Sequence, residues 1–196
     1  MVHSILAKRI FHASQRLKYY RRMGTEEGLR AFVSVGSTAF TELVSRVCSN
    51  DILEILGKCG FRSMIIQHGN TPLPAISPDP TSAATLITVT GYPYKPSIKE
   101  DMIQADLIIA HAGSGSIVEA LRLEKALIVV INAKLQDNHQ SELADQLHKD
   151  GYLLRTTVDE LKQQLEEWCE FRPVQRPFPP PPHPSVFRQV LIDTFL

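Results

Sequence analysis

Acidic side chains are missing from the start of this 196-residue chain: none precedes Glu26, while Lys8, Arg9, Arg16, Lys18, Arg21 and Arg22 are basic. The chain also lacks any apolar run long enough to span a bilayer, and any signal-peptide core before a small-residue cleavage site. Its three cysteines, Cys48, Cys59 and Cys169, form no CxxC pair and leave an odd thiol. That pattern suits a reducing compartment, and a cytoplasmic setting is the expectation. HxxxH, HExxH and DxD spacings are absent, so no metal site is expected. Neither a GxSxG elbow nor a Cys/His/Asp set points to covalent catalysis. With 21 basic and 21 acidic residues there is no charge excess, which argues against nucleic acid as a partner.

What is present is enough apolar material for a real core, 43% of residues. Three segments are expected. Residues 1–30 form a basic extension in which Leu6, Ile10, Ala13, Leu17 and Tyr20 fall at helical spacing, either a tail or a membrane-surface or targeting helix. Residues 31–172 form the domain. Residues 173–196 hold a proline-rich spacer, Pro173–Pro184, then a short amphipathic helix with Phe187, Val190, Leu191 and Phe195 on one face. That face packs on its own domain or on a partner.

Within the domain, β-rich runs at 31–35, 62–67, 86–90, 107–110, 127–131 and 152–154 alternate with helical patterns at 40–48, 52–58, 97–105, 115–123, 139–149 and 158–170. This alternation predicts an α/β fold, a Rossmann-like, mostly parallel sheet with helices on both faces. Residues 70–82, with Pro72, Pro74, Pro78 and Pro80, are expected to be loop.

Candidate chemistry gathers where strands end. After the fourth apolar run, His111-Ala-Gly113-Ser114-Gly115-Ser116 passes into a helix. Glycines let backbone approach a diphosphate, and a helix start offers free N–H groups and a positive dipole end. The spacing is not a dinucleotide fingerprint, because Val118 stands at the third glycine position. Glu119 could accept from ribose hydroxyls, or close a capping box with Ser116. Asp137-Asn138-His139-Gln140 opens the next helix as a cap or as a ligand-reading turn. Gly36-Ser37-Thr38 follows the first strand and suits a phosphate, a sugar or an N-cap equally. His68 and His111 also end strands, and either could be a base or a phosphate donor, with a hydrogen-bonded structural role the alternative for His68. His111 is the catalytic candidate, and catalytic residues are otherwise unassigned. In an open α/β sheet, turns after strands share the carboxyl edge, where ligands bind.

Taken together, His111–Ile117 with Glu119, Asp137–Gln140, and Val33-Ser-Val-Gly-Ser-Thr-Ala-Phe40 with Glu42-Leu-Val44 resemble the small, catalytic subunits of two-chain UDP-N-acetylglucosamine transferases. More widely, residues 31–154 resemble the donor-binding C-terminal half of the bacterial GlcNAc transferase that makes the peptidoglycan lipid precursor, the glycosyltransferase family 28 type. The resemblance implies half of a GT-B enzyme that transfers GlcNAc from UDP-GlcNAc to dolichyl-diphosphate-GlcNAc, inverting and metal-independent. By position it puts Gly113–Ser116, Ser37 and Thr38 on the diphosphate, Glu119 on the ribose, and Asn138 and Gln140 on the sugar. It implies no cofactor, UDP-GlcNAc being a substrate. It further implies a lipid-linked GlcNAc acceptor, a membrane-anchored second subunit, and recruitment to the cytosolic face of the endoplasmic reticulum. Ala126 departs from the family, standing where proline is usual. The Pro72–Pro80 loop has no clear counterpart, and residues 1–30 lie outside the resemblance. A nucleotide-binding regulatory module without transferase activity, and a self-sufficient enzyme for a small phosphorylated substrate, are the competing readings.

Overall fold

The computed structural model describes residues 25, 27–37, 39–77, 79–132, 141–173 and 175–180, and the backbone of 139 and 140. In chain order the elements are β1 (Leu29–Ser34), α1 (Thr41–Val47), α2 (Asn50–Lys58), β2 (Phe61–Gln67), a 3-10 turn (Ala83–Leu86), β3 (Thr88–Tyr92), α3 (Lys99–Gln104), β4 (Leu107–His111), α4 (Ser114–Arg122), β5 (Ala126–Ile131), α5 (His139–Lys149), β6 (Leu154–Thr157) and α6 (Leu161–Phe171). The strands form a six-stranded sheet in the order β3-β2-β1-β4-β5-β6, and each pairing is parallel. The expected Rossmann-like fold is what the chain adopts. Its order reverses direction between β1 and β4, and that junction is the topological switch point where such sheets open a crevice.

The central strands are apolar on both faces because helices cover both. Ala31, Val33, Leu107, Ile109, Ile128 and Val130 point into a core completed by Leu43 and Val47 of α1, Leu53 and Leu56 of α2, and Leu165 and Trp168 of α6. Their alternates, Phe32, Ile108, Ala110, Leu127 and Val129, meet Met102 of α3, Ile117 and Leu121 of α4, and Ala144 of α5. The period-2 alternation of a strand thus assigns each residue to one core or the other.

Several details differ from the expectations. The first strand is Leu29–Ser34 rather than 31–35, so its first two residues fall within the segment read as the basic extension. The third strand starts at Thr88 rather than 86, because Ser82 caps a 3-10 turn by accepting from Ala84 N–H at 3.1 Å. The last strand is Leu154–Thr157 rather than 152–154. The thiols are not all free: Cys59 and Cys169 form a disulfide between the ends of α2 and α6, with Cα atoms 5.6 Å apart. Cys48 is the odd, buried thiol. Arg172, just past α6 and in the left-handed region at φ 42°, turns its guanidinium back to Cys59, 2.8 Å from the carbonyl and 3.1 Å from the sulfur.

The proline block is not a free spacer at its start. Beyond Pro173, the Gln175 carboxamide accepts from Leu127 N–H at 3.1 Å and donates to Leu127 C=O at 2.8 Å. It serves as a stand-in neighbour where β6, which pairs from Ile128 onward, has not begun. Arg176 donates to the carbonyl of Asp150 at 2.9 Å, and Phe178 meets Tyr152 edge-on at 5.4 Å. The domain's packed surface therefore runs to Phe178. The C-terminal apolar face, Phe187 to Phe195, lies outside the described residues, as does nearly all of the basic extension. No helix among the described residues is long and apolar enough to cross a membrane.

Candidate donor-binding site

The two loops beside the switch point meet on one imidazole. His111 ends β4, and its ring fills the space between Gly36, after β1, and Gly113, before α4. A methyl built on Gly36 would stand 2.7 Å from His111 Nε2, and one on Gly113 would stand 2.7 Å from its Cε1. Gly36 also has φ +68°, a conformation that other residues adopt only under strain. Gly36 is therefore required by its backbone, and a side chain at Gly113 would displace the His111 ring. The imidazole Nδ1 lies 3.4 Å from the Ser34 carbonyl, and burial lowers the His111 pKa, a shift opposed by that backbone contact. Burial thus disfavours the charged form of the ring.

Helix α4 starts at Ser114, with Gly113 as its N-cap in an extended conformation and no side chain capping it. Among the described residues no side chain meets its first-turn N–H groups, and such groups can receive an anion. Ser114 and Gly115 are exposed and Ser116 half-buried. A Cβ on Gly115 would meet nothing within 4 Å. Unlike Gly36 and Gly113, Gly115 is not demanded by the chain's own packing.

This boundary removes the alternative reading of Glu119. A capping box needs Ser116 at the N-cap, yet Ser116 lies inside the helix and Glu119 falls a full turn beyond the cap. Among the described residues Glu119 has no hydrogen bond or ion pair. It lines an open cleft of about 570 Å³ with Lys99, Ser114, Gly115 and Arg122. Ser97-Ile-Lys-Glu100 also has capping-box spacing, and no box forms there: α3 begins at Lys99, and Ser97 Oγ instead accepts from Lys99 N–H at 3.2 Å. Ser37 is exposed beside Gly36. Thr38, Asp137 and Asn138 lie outside the described residues. Gln140 falls in the first turn of α5, its side chain outside the description. His68 sits away from the crevice, its ring near Gly91 of β3 and its Nδ1 3.1 Å from the Gly69 carbonyl. No group of three or more potential metal ligands exists among the described residues.

Sequence reasoning passed over Lys99 and Arg122 at this cleft, and Gln67 behind the loop after β1. Only the fold brings Lys99 to Glu119, whereas Arg122 stands three residues further along the same helix. Gln67 read as the last residue of a strand; its single signal was a polar residue closing an apolar run. It is buried and bridges the loops after β1 and β3.

Residues 30–178 match the model of the glycosyltransferase family 28 C-terminal domain. The chain belongs to that family. Among curated relatives it is 48% identical over 128 residues to the UDP-N-acetylglucosamine transferase subunit ALG13 of Mus musculus, a match that covers 65% of this chain and 11% of that protein. The chain thus spans about a tenth of the length of that relative. It is 30% identical over 187 residues to the subunit of the same name from Cryptococcus neoformans, covering 82% of this chain and 94% of the relative. Among solved structures it resembles the NMR solution structure of ALG13, with a TM-score of 0.58, 27% identity, and 86% of this chain and 96% of that one covered. Acinetobacter baumannii MurG matches with a TM-score of 0.55 at 20% identity, over 76% of this chain and 42% of that one; at that identity the likeness concerns the fold alone. The architecture is that of the C-terminal half of GT-B glycosyltransferases.

Proposed function

We propose that the chain is the donor-binding, catalytic subunit of a glycosyltransferase that moves GlcNAc from UDP-GlcNAc to dolichyl-diphosphate-GlcNAc. The observation that carries this reading is the layout of the switch point: a helix start at Ser114 with no side-chain cap, a glycine whose missing side chain faces open space, and, one turn further on, Glu119, which has no partner among the described residues. A diphosphate on the Ser114–Ser116 turn would receive backbone N–H donors and the helix dipole. Glu119 would then face the ribose, and Asn138 and Gln140 the sugar. An acceptor hydroxyl attacks C1 of the GlcNAc, and a C–O bond forms as the bond to the diphosphate breaks. Configuration inverts, the proton passes to a base this chain need not supply, and UDP leaves with its added charge stabilised by the α4 N-terminus. No cofactor or metal enters this scheme.

The name "subunit" on the relatives supports a second chain. A GT-B enzyme needs two such domains, and residues 31–172 would supply the donor-binding one. We assign the acceptor half to a membrane-anchored partner, which would hold this chain at the cytosolic face of the endoplasmic reticulum. The test is a transfer assay with UDP-GlcNAc and a lipid diphosphate-GlcNAc acceptor, with and without the partner. Product only with both chains supports the reading. Donor binding without transfer, even with the partner present, would leave a regulatory module instead.

A further inference from the structure

Gln67 ends β2 and is 4% exposed. Its carboxamide uses every hydrogen-bonding position it has. The oxygen accepts from Ser34 Oγ at 2.9 Å and from the Gly36 N–H at 2.9 Å. The nitrogen donates to the carbonyls of Gly36 and Pro93, each at 2.9 Å. A primary amide offers two donors and an oxygen with two lone pairs, so the set is complete. The reversed orientation would turn the oxygen toward two carbonyls and the NH2 toward an N–H, which fixes the assignment.

These four bonds join three loops of the carboxyl edge. Gly36 belongs to the loop after β1 and Pro93 to the loop after β3, while Gln67 leads into the loop after β2, where Gly69 N–H reaches Pro93 C=O at 3.2 Å. Gly36 is also the residue against which the His111 ring packs. The side chain of Gln67 therefore sets how far the first loop stands from the turn that starts α4. We propose that Gln67 is a positioning residue of the donor site, fixing the width of the crevice between the β1 loop and the His111–Ser116 turn without touching the ligand. The inference rests on the donor reading given above. A ligand site works only when held within about 0.5 Å of its productive geometry, and such precision comes from buried groups behind the ones that touch.

The role separates from mere stabilisation by experiment on the full chain. Gln67→Glu keeps the accepting oxygen and replaces the donating nitrogen with an oxygen facing two carbonyls. It should remain cooperative, weaken UDP-GlcNAc binding at least tenfold in a titration well below its Tm, and speed exchange of the Gly36 amide at least tenfold. A core variant with a comparable loss of Tm, Leu165→Ala, should keep wild-type affinity and wild-type Gly36 exchange. Gln67→Met serves if the glutamate variant does not fold. A folded Gln67 variant that binds UDP-GlcNAc within twofold of wild type overturns the assignment alone. So does an unprotected Gly36 amide in the unliganded wild type, which decides the matter if neither variant folds. Absence of donor binding by the wild type overturns the donor reading, and the assignment with it.

Discussion

Gly115→Ala separates what the fold needs from what a ligand needs. Gly115 is the second residue of α4, and an added Cβ would meet nothing within 4 Å. The substitution should therefore cost no packing, and a better helix former at a compatible position stabilises by about 0.4–1 kcal/mol. For a domain of this size that is a rise in Tm of about 1–4 °C. The same methyl would stand where a diphosphate must approach the first-turn N–H groups. Loss of a hydrogen bond to a charged group costs about 1.5–3 kcal/mol, equivalent to a dissociation constant raised about 10- to 150-fold. Calorimetric titration with UDP-GlcNAc and a thermal melt on one sample would measure both. Gly113→Ala is the contrasting control, because its methyl meets the His111 ring, and such overpacking should cost about 1–3 kcal/mol of stability. A G115A protein that binds UDP-GlcNAc as tightly as wild type would refute the placement of the diphosphate on this turn.

Other outcomes follow from the same geometry. Glu119→Ala should leave Tm within a degree or two of wild type, since Glu119 caps nothing, while donor affinity falls by about 1.5–3 kcal/mol; a lowered Tm with unchanged affinity would return it to a structural role. His111 has its pKa lowered by burial, so below the unfolded value of about 6.5 the unfolded chain takes up a proton that the native ring refuses. Stability should thus be fully held above pH 6.5 and decline as pH falls from there through the folded-state pKa, a slope that chemical denaturation series should find reduced in His111→Asn. Reduction of Cys59–Cys169, which closes a loop of sequence separation 110, should lower stability by about 2–4 kcal/mol, and equal melts with and without a dithiol would argue against the bond. Cys48 should stay out of any exchange, its thiol pushed up to about 11 by burial.

The fold was legible because its signals are local and repeated. Apolar runs such as Leu107–Ala110 and Leu127–Ile131 can only be strands covered on both faces, and the helices between them dictate parallel pairing. Turns after such strands then share one edge, so Gly36, His111 and Gly113 could be grouped before their contacts were seen. Boundaries were less legible. Ser97 and Ser116 both carry capping-box spacing, yet each helix begins elsewhere, because the extended backbone of Gly113 and the turn at Ile98 set the starts. Long-range partners were not legible at all. Nothing in the sequence joins Cys59 to Cys169 or Gln175 to Leu127, since those pairs depend on how α6 and the following segment close over the sheet. Gln67 was hidden for the same reason: its four bonds reach residues 26 to 33 positions away, and only the sheet order makes them neighbours.

The central claim is that UDP-GlcNAc binds at the β1/β4 switch point, and amide chemical-shift mapping during a titration of the full chain tests it most directly. The account predicts saturable shifts centred on Gly36, Ser37 and His111–Glu119, extending to the start of α5, with the opposite edge at Leu29, Phe61 and Leu107 unmoved. Absence of saturable shifts, or shifts centred on that opposite edge, would contradict it.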